Sequence, residues 1–398
     1  MSLAPIAIST YSRLEHLKLT VSALQKNTLA QQSELFILSD APRPGDEQLV
    51  QRLRAYADSV SEFARVKVIK RTSNGRVANS RGGMHQLMRE YGKVIFLEDD
   101  IVTAPGFLQF MNDALVEYEH HPDVLSICGY SPPLPAAQQS ESDVFALPRM
   151  IAWGMGLWLP KFEKIKAVPL DEFKALSSDA RQIEILNSEY GRDLLNRYKA
   201  EAYGHIDGLD NRGCYLQMKA NMVTVYPKQS LVANKGNDGS GQHASITNKF
   251  DVELWQKEHG FQFNNALEVD RRIRAQSIEF FAPTEKDMSP HIIDNILSQI
   301  QGSGIKEIVL WGTDILTSLF LDKLTTLSNP PKVMLVVDSW AEKGDRFQTY
   351  KVLTPSEAYA KGHRIFVIMS FASRMKIADA VYALGKDCSA IKYEDGLE

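Results

Sequence analysis

The residues with the clearest chemical potential are Glu98, Asp99 and Asp100, three consecutive carboxylates that close the apolar run VIFL at 94–97. Carboxylates crowded at the end of a buried strand repel one another more strongly as they leave water, so a positive charge should sit beside them. Hard divalent cations prefer oxygen ligands and are often held by one or two carboxylates together with substrate phosphates. The plainer alternative is an exposed acidic turn that favours the amino end of the following helix. Two further polar groups fall in equivalent places: Asp40 follows the apolar run at 35–38, and Arg13 follows the run PIAIST at 5–10. If these runs are parallel strands, Arg13, Asp40 and the acidic triplet all emerge at one carboxyl edge, where open α/β sheets bind ligands. Asp40 as a turn former before Pro42, and Arg13 as a solvated helix-start residue, are the structural alternatives.

The elements that must position these residues are legible in the hydrophobic pattern. After the first apolar run, Ser12 and Glu15 offer a capping box for a helix with Leu14, Leu17, Val21 and Leu24 on one face. Runs at 35–38, 66–69 and 94–97 alternate with helical patterns, which predicts a mostly parallel sheet covered on both sides. Pro105 begins a helix carrying Phe107, Phe110, Met111, Ala114, Leu115 and Tyr118 at helical spacing. The middle of the chain is less regular, with a polar loop at 131–142 and a charged, largely helical stretch at 161–202. Gly236, Gly239 and Gly241 predict a mobile loop at 234–241. From residue 305 a second β-α series runs through 307–311, 332–337, 364–369 and 389–393. The expected division is a first α/β domain over 1–275, a linker at 276–304 and a smaller α/β domain over 305–398.

Composition bounds the function. At ~150 residues per domain, 398 residues make two or three compact units. With 44% hydrophobic and 24% charged residues the chain has a globular balance, so it should bury a full core. There are 45 basic and 49 acidic residues, a net charge of −4, and no long basic run, which argues against nucleic acid as a partner. Cys128, Cys214 and Cys388 each stand alone, so neither a disulfide framework nor a zinc site is expected. The most apolar stretch, 145–160, is shorter than a membrane span, and no signal-peptide pattern opens the sequence. A cytoplasmic protein is expected.

Taken in order, the segments PIAISTYSR, LFILSDAPRP, VIFLEDDIVTAPGFLQFMNDAL, IAWGMGLWLPKF and VYPKQSLVANKGNDGSGQH resemble GT-A-fold glycosyltransferases. The resemblance is nearest to bacterial relatives of N-acetylglucosaminyltransferase I and spans about residues 4–250. It implies a GT-A domain with a nucleotide-sugar donor over the first half of the sheet, a Mn²⁺ or Mg²⁺ ion, and transfer to a glycan hydroxyl with inversion at the anomeric carbon. By position it puts Arg13 and Asp40 around the nucleotide, Glu98 toward the donor sugar, Asp99 toward the ribose and Asp100 on the metal. A carboxylate at Asp40 can accept from the imide N–H of uracil, which cytosine lacks, so a UDP-sugar is expected. Asn74 matches a position often polar in the family, and a turn residue is its structural alternative. The family places a catalytic Asp shortly before a GRxC-like helix, which selects Asp207. Gly208-Leu209 stand where the family has an aromatic residue, which leaves Asp210 as a substitute. Trp153 and Trp158 fit either the wall of a sugar site or the core. His243, at the end of the glycine-rich loop, could meet the metal or pyrophosphate on closure.

The last domain carries a weaker signal. Gly312-Thr313-Asp314 after an apolar run resembles the first βα turn of a Rossmann domain, and Asp338 ends the next strand where a ribose-binding acid would lie. Asp314 and Thr317 occupy the second and third glycine places of G-x-G-x-x-G, so a vestigial or interaction module is the leading interpretation. The expectation is an inverting, metal-dependent glycosyltransferase with a Rossmann-like appendage. Peripheral contact with a lipid-linked acceptor and homo-oligomerisation are both compatible with it. An NAD-dependent sugar-nucleotide oxidoreductase or epimerase built on the last domain, and a non-catalytic sugar-nucleotide scaffold, are the rival readings.

Overall fold

The computed structural model describes residues 2–236, 248–264, 267–282, 290–370 and 374–392. The chain forms two compact units, Met1–Ala282 and Pro283–Glu398. The α/β class expected from the sequence is the class observed: a large, parallel-rich sheet in the first unit and a second, smaller sheet in the other.

In the first unit, strands β1 (Ile6–Thr10), β2 (Glu34–Ser39), β3 (Arg65–Lys70) and β4 (Lys93–Glu98) are short apolar runs that alternate with helices α1 (Leu14–Gln25), α2 (Glu47–Ser59) and α3 (Arg76–Tyr91). Because each crossover returns the chain in the same direction, the four strands pair in parallel in the order β3-β2-β1-β4. The register sets Ser9 beside Glu98 and Thr10 beside Ser39, so the carboxyl ends of β1, β2 and β4 lie level. A short strand β5 (Ile101–Thr103) leads into α4 (Phe107–Glu117), after which β6 (Val124–Cys128), β7 (Val144–Leu147), β8 (Met155–Trp158) and β9 (Val223–Pro227) extend the sheet. β8 runs antiparallel between β4 and β6. Strand β10 (Val232–Asn234) returns antiparallel to β5, which brings Asn234 opposite Ile101, directly after the acidic triplet.

The central strands are buried on both faces, so two apolar layers form. One contains Leu17, Val21 and Leu24 of α1 and Phe107, Phe110, Met111 and Leu115 of α4; the other contains Met84, Leu87 and Met88 of α3. The helix after Pro105 thus buries the side chains its spacing predicts, although it begins at Phe107 with Gly106 as its N-cap. α3 lies close on the sheet at Gly83, where a Cβ would fall 2.5 Å from Leu38 Cδ1. Trp158 is core: it is 3% exposed and donates its indole N–H to Leu115 O at 3.0 Å. Trp153 is only partly buried and meets Tyr130 edge-on at 4.8 Å. The segment 251–264 is pinned by Asp143, which accepts from Lys257 Nζ at 2.5 Å and the Gln262 amide at 2.9 Å and pairs with Lys228 at 3.1 Å.

One local expectation fails. The Ser12/Glu15 capping box does not form: Arg13 is the N-cap of α1, and no side chain caps the helix. Arg13 is instead drawn to the acidic triplet, where one guanidinium meets two carboxylates. A charge-assisted pair of that kind is stronger than the neutral hydrogen bond of a serine cap.

The second unit carries β11 (Glu307–Trp311), β12 (Lys332–Val337), β13 (Arg346–Phe347), β14 (Tyr350–Leu353), β15 (Ile365–Ile368) and β16 (Ser389–Ile391), in the order β13-β14-β12-β11-β15-β16. β11 pairs in parallel with both β12 and β15, which makes the turn after β11 a topological switch point. That turn is internally satisfied. Thr313 donates to Asp338, Thr317 Oγ1 donates to Gly312 O at 2.8 Å, and the Asp314 carboxylate accepts from the Leu316 amide at 3.0 Å. Gly312 has φ +132°, and a Cβ there would lie 2.6 Å from Met369 O, so its glycine is required by the turn itself. Among the described residues, no helix is long and apolar enough to cross a membrane. Cys128, Cys214 and Cys388 are free and buried.

Candidate active site

The level carboxyl ends of β1 and β4 bring Arg13 onto the acidic triplet. Its Nη2 donates to Asp99 Oδ1 and, at 2.7 Å, to Asp100 Oδ2. Asp99 also accepts from Thr10 Oγ1 at 2.7 Å, and Thr20 Oγ1 donates to the Asp99 carbonyl at 2.7 Å. Both carboxylates are nearly inaccessible, at 3% and 6% for Asp99 and Asp100. The positive charge that three adjacent acids demand is therefore supplied by the chain itself. Arg13 remains protonated, its affinity for the proton raised: burial works against the charge, and Asp99 and Asp100 outweigh it. Burial raises the Asp99 carboxyl, with Arg13 and Thr10 opposing the rise. Glu98, partly exposed at the end of β4, is pushed up to about 7, first by burial of its carboxyl and then by Asp100, Asp99 and Asp210, against the pull of Arg13. That influence also puts Asp210 within electrostatic reach of the triplet.

Asp100 has one oxygen in reserve. Oδ2 is held by Arg13, whereas Oδ1 is buried without a hydrogen-bond partner among the described residues. The chain after β10 closes over this carboxylate: the Lys235 amide donates to Asp100 O at 2.8 Å, and the Gly236 amide to Asn234 Oδ1 at 2.7 Å. An unpaired anionic oxygen suits a hard cation. Among the described residues no group of three or more His, Cys, Asp or Glu side chains could hold a metal ion unaided. Such an ion would have to complete its shell from phosphate and water, as small divalent cations commonly do. His243 lies outside the described residues.

Asp40 and Asn74 form a second cluster on the same edge. Asp40 is 4% exposed, and Oδ1 accepts from the Ala41 amide at 2.8 Å while both oxygens accept from the Gly75 amide at 3.0 Å. Asn74 Nδ2 donates to Ala41 O at 2.7 Å and lies 3.3 Å from Asp40 Oδ2. Asp40 thereby ties the turn after β2 to the amino end of α3. An ionised carboxylate has about four acceptor positions, and those of Asp40 are largely taken by the main chain. The more exposed side chain of the pair is Asn74.

The amino end of α3 in turn holds the segment that carries Asp207. Arg76 Nη2 donates to Asp207 O at 3.0 Å, Arg81 pairs with Asp207 Oδ1, and Arg212 Nη2 meets the same oxygen at 3.0 Å. Arg212 is fixed from behind by Glu201, whose side chain is wholly inaccessible: Oε2 accepts from Arg212 Nε at 2.8 Å, and Oε1 accepts from the Gly208 amide. Asp210 is held more loosely, 3.7 Å from Arg197 Nη1. Thr10, Arg76, Arg81, Glu201 and Arg212 were not singled out from sequence as site residues. The signal for Glu201 and Arg212 was faint: a charged side chain reads as solvated until the helix packing that buries it is known. Arg13, Glu98, Asp99 and Asp100 thus form one cluster and Asp40 with Asn74 another; Asp207 is joined to the second through consecutive residues, Gly75 and Arg76.

No protein-family model matches the chain, and no curated protein matches it. Among solved structures it is similar to a mannosyltransferase from Pyrobaculum calidifontis in complex with GDP-Man and Mn²⁺, at 13% identity and a TM-score of 0.28, over 42% of this chain and 47% of that one. It is also similar to S. aureus TarS 1–349, at 14% identity and a TM-score of 0.30, covering 50% of this chain and 70% of that one. TarS 1–349 in complex with UDP-GlcNAc overlaps at 12% identity and a TM-score of 0.29 over 51% of this chain and 73% of that one. The chain spans less than half the length of the mannosyltransferase it matches.

Proposed function

We propose that the first unit is a glycosyltransferase that moves a sugar from a nucleotide-sugar donor, a UDP-sugar, to a hydroxyl of a glycan acceptor with inversion at the anomeric carbon. The observation that carries this reading is Arg13 bridging Asp99 and Asp100 at the carboxyl edge of a parallel sheet, with Asp100 Oδ1 buried and, among the described residues, unpartnered beside the turn that follows β10. The relation to N-acetylglucosaminyltransferase I is supported by the sequence segments alone. The donor would lie along this edge, with its nucleoside between Arg13, Asn74 and Asp40, and Asp40 acting mainly by fixing the Asn74–Gly75 turn. Asp99 is assigned to the ribose and Glu98 to the donor sugar. Asp100 would hold a divalent ion together with the diphosphate oxygens; when bound, that ion neutralises charge on the leaving nucleotide.

In the transfer, an acceptor hydroxyl oxygen forms a bond to the anomeric carbon from the face opposite the diphosphate. The bond from that carbon to the diphosphate oxygen breaks, and the electron pair leaves with the nucleotide. The hydroxyl proton passes to a carboxylate, assigned to Asp207, which Arg81 and Arg212 hold in place. Domain limits follow the compact units, with the second as an interaction module. The test is incubation of the purified protein with Mn²⁺ and a panel of nucleotide sugars, following nucleotide release. Release from a UDP-sugar is expected, and release from none of the panel would overturn the reading.

A further inference from the structure

A glycine inside a helix is destabilising relative to alanine, so it persists where the backbone or the packing needs it. In α3 the two adjacent glycines differ. Gly83 is required, because a Cβ would strike Leu38 at 2.5 Å; at Gly82 a Cβ would meet nothing within 4 Å. Gly82 does not have a positive φ either. Neither reason applies to Gly82, and its missing side chain leaves open a groove of about 620 Å³ over the outer face of the helix. Exposed Ala78 continues the floor, and Phe162 with His85 stacked on it at a centroid distance of 5.7 Å forms one wall. The opposite rim is cationic. Arg76 is exposed and bonds only to the neutral Asp207 carbonyl, no carboxylate among the described residues pairing with it. Arg81 lines the groove with Nε buried and without a hydrogen-bond partner. The same two arginines grip the Asp207 segment, so the groove opens beside the proposed base.

Resting on the transferase reading, we infer that this groove is the acceptor subsite and that it takes an acidic saccharide, a ring bearing a carboxylate or phosphate group. The apolar floor and the His85–Phe162 wall suit the C–H face of a sugar ring. The exposed guanidinium of Arg76 suits an anionic substituent, since arginine binds carboxylate and phosphate through charge-assisted hydrogen bonds.

The probes are 4-nitrophenyl β-glucuronide, 4-nitrophenyl β-glucoside and 4-nitrophenyl phosphate, titrated calorimetrically into the full-length protein without donor. The glucuronide should bind at least about tenfold more tightly than the glucoside, from the added charge-assisted contact. Gly82→Leu fills the floor and should abolish glucuronide binding while the thermal midpoint stays at or above wild type, because the helix gains a better former. Arg76→Gln should remove most of the preference for glucuronide over glucoside. Equal binding of the two glycosides, glucuronide binding that survives Gly82→Leu, or phosphate bound as tightly as glucuronide would overturn the proposal. The two readings fail distinguishably: glucuronide in the groove with no nucleotide sugar consumed refutes the transferase reading and the acceptor role but leaves an acidic-saccharide site, and nucleotide sugar consumed with no glucuronide bound refutes the groove alone.

Discussion

Gly236 lies against Asp100 so closely that a Cβ at position 236 would fall 2.1 Å from Asp100 Oδ2 and 2.8 Å from its Cγ. The glycine is therefore part of the carboxylate's geometry. Any side chain there must push Asp100 away from Arg13 or lift the chain that follows β10. Gly236→Ala should weaken Mn²⁺-dependent UDP binding by about tenfold or more, the order expected when an anionic ligand is displaced. Calorimetry with UDP and Mn²⁺ checks this, and binding equal to wild type would mean that Asp100 is not a donor-site group.

Arg13 is the internal counter-charge of the triplet, and removing one partner of a buried pair costs about 3–5 kcal/mol because the other charge is left uncompensated. Arg13 is partly exposed, at 24% for its side chain, so the lower end of that range is expected for Arg13→Ala. An added cation should then substitute for the guanidinium. Mn²⁺ without nucleotide should raise the thermal midpoint of Arg13→Ala by more than it raises that of wild type. Equal shifts in the two proteins would show that no cation reaches the triplet.

The parallel core and the triplet were legible because they are local: apolar runs of strand length, helical spacing after Pro105, and three acids in succession. The arrangement that fixes them was not. That Arg13 bridges Asp99 and Asp100 depends on the register of β1 against β4, which no spacing in the sequence states. Asp40 is fixed by the amides of Ala41 and Gly75, and Gly75 lies 35 residues away in sequence, a pairing that no local pattern states. Trp158 could have been wall or core, and the choice was decided by the carbonyl of Leu115, presented by a helix that crosses behind it. Buried Glu201, which steadies Arg212, carries no sequence mark beyond its charge.

Asp143 gives a pH dependence with a definite sign. Burial alone would raise its carboxyl, but Lys257, the Gln262 amide and Lys228 outweigh burial and hold it below the ordinary value of 3.8. A group whose folded value is depressed contributes stability that is present above the unfolded value and lost as pH falls through the folded one. Asp143→Asn should therefore lower the urea midpoint at pH 7, by a loss of about 1–3 kcal/mol, and the difference from wild type should shrink as pH falls below about 4. A gap that persists undiminished at pH 3 would assign the effect to shape rather than to charge.

Asp100, Asp207 and Asp210 should fail in different ways. Asp100→Asn removes an anionic ligand, so Mn²⁺-dependent UDP binding should weaken together with turnover. Asp207→Asn keeps nearly the same shape but cannot take a proton, so UDP binding should persist while transfer falls by roughly 10²- to 10⁴-fold, the usual contribution of a positioned base. Asp210→Asn should lower transfer by less than about tenfold, since the ion pair Asp210 makes among the described residues is a loose one, with Arg197 at 3.7 Å, and it acts on Glu98 at a distance. Because Arg81 and Arg212 converge on Asp207 Oδ1, Asp207→Asn should also loosen the 205–208 segment, and its thermal midpoint must be read beside its rate. A stable Asp207→Asn protein with wild-type transfer, paired with a collapse of rate in Asp210→Asn, would move the base to Asp210 and leave Asp207 as the clamp that joins α3 to the helix Leu209–Ala220.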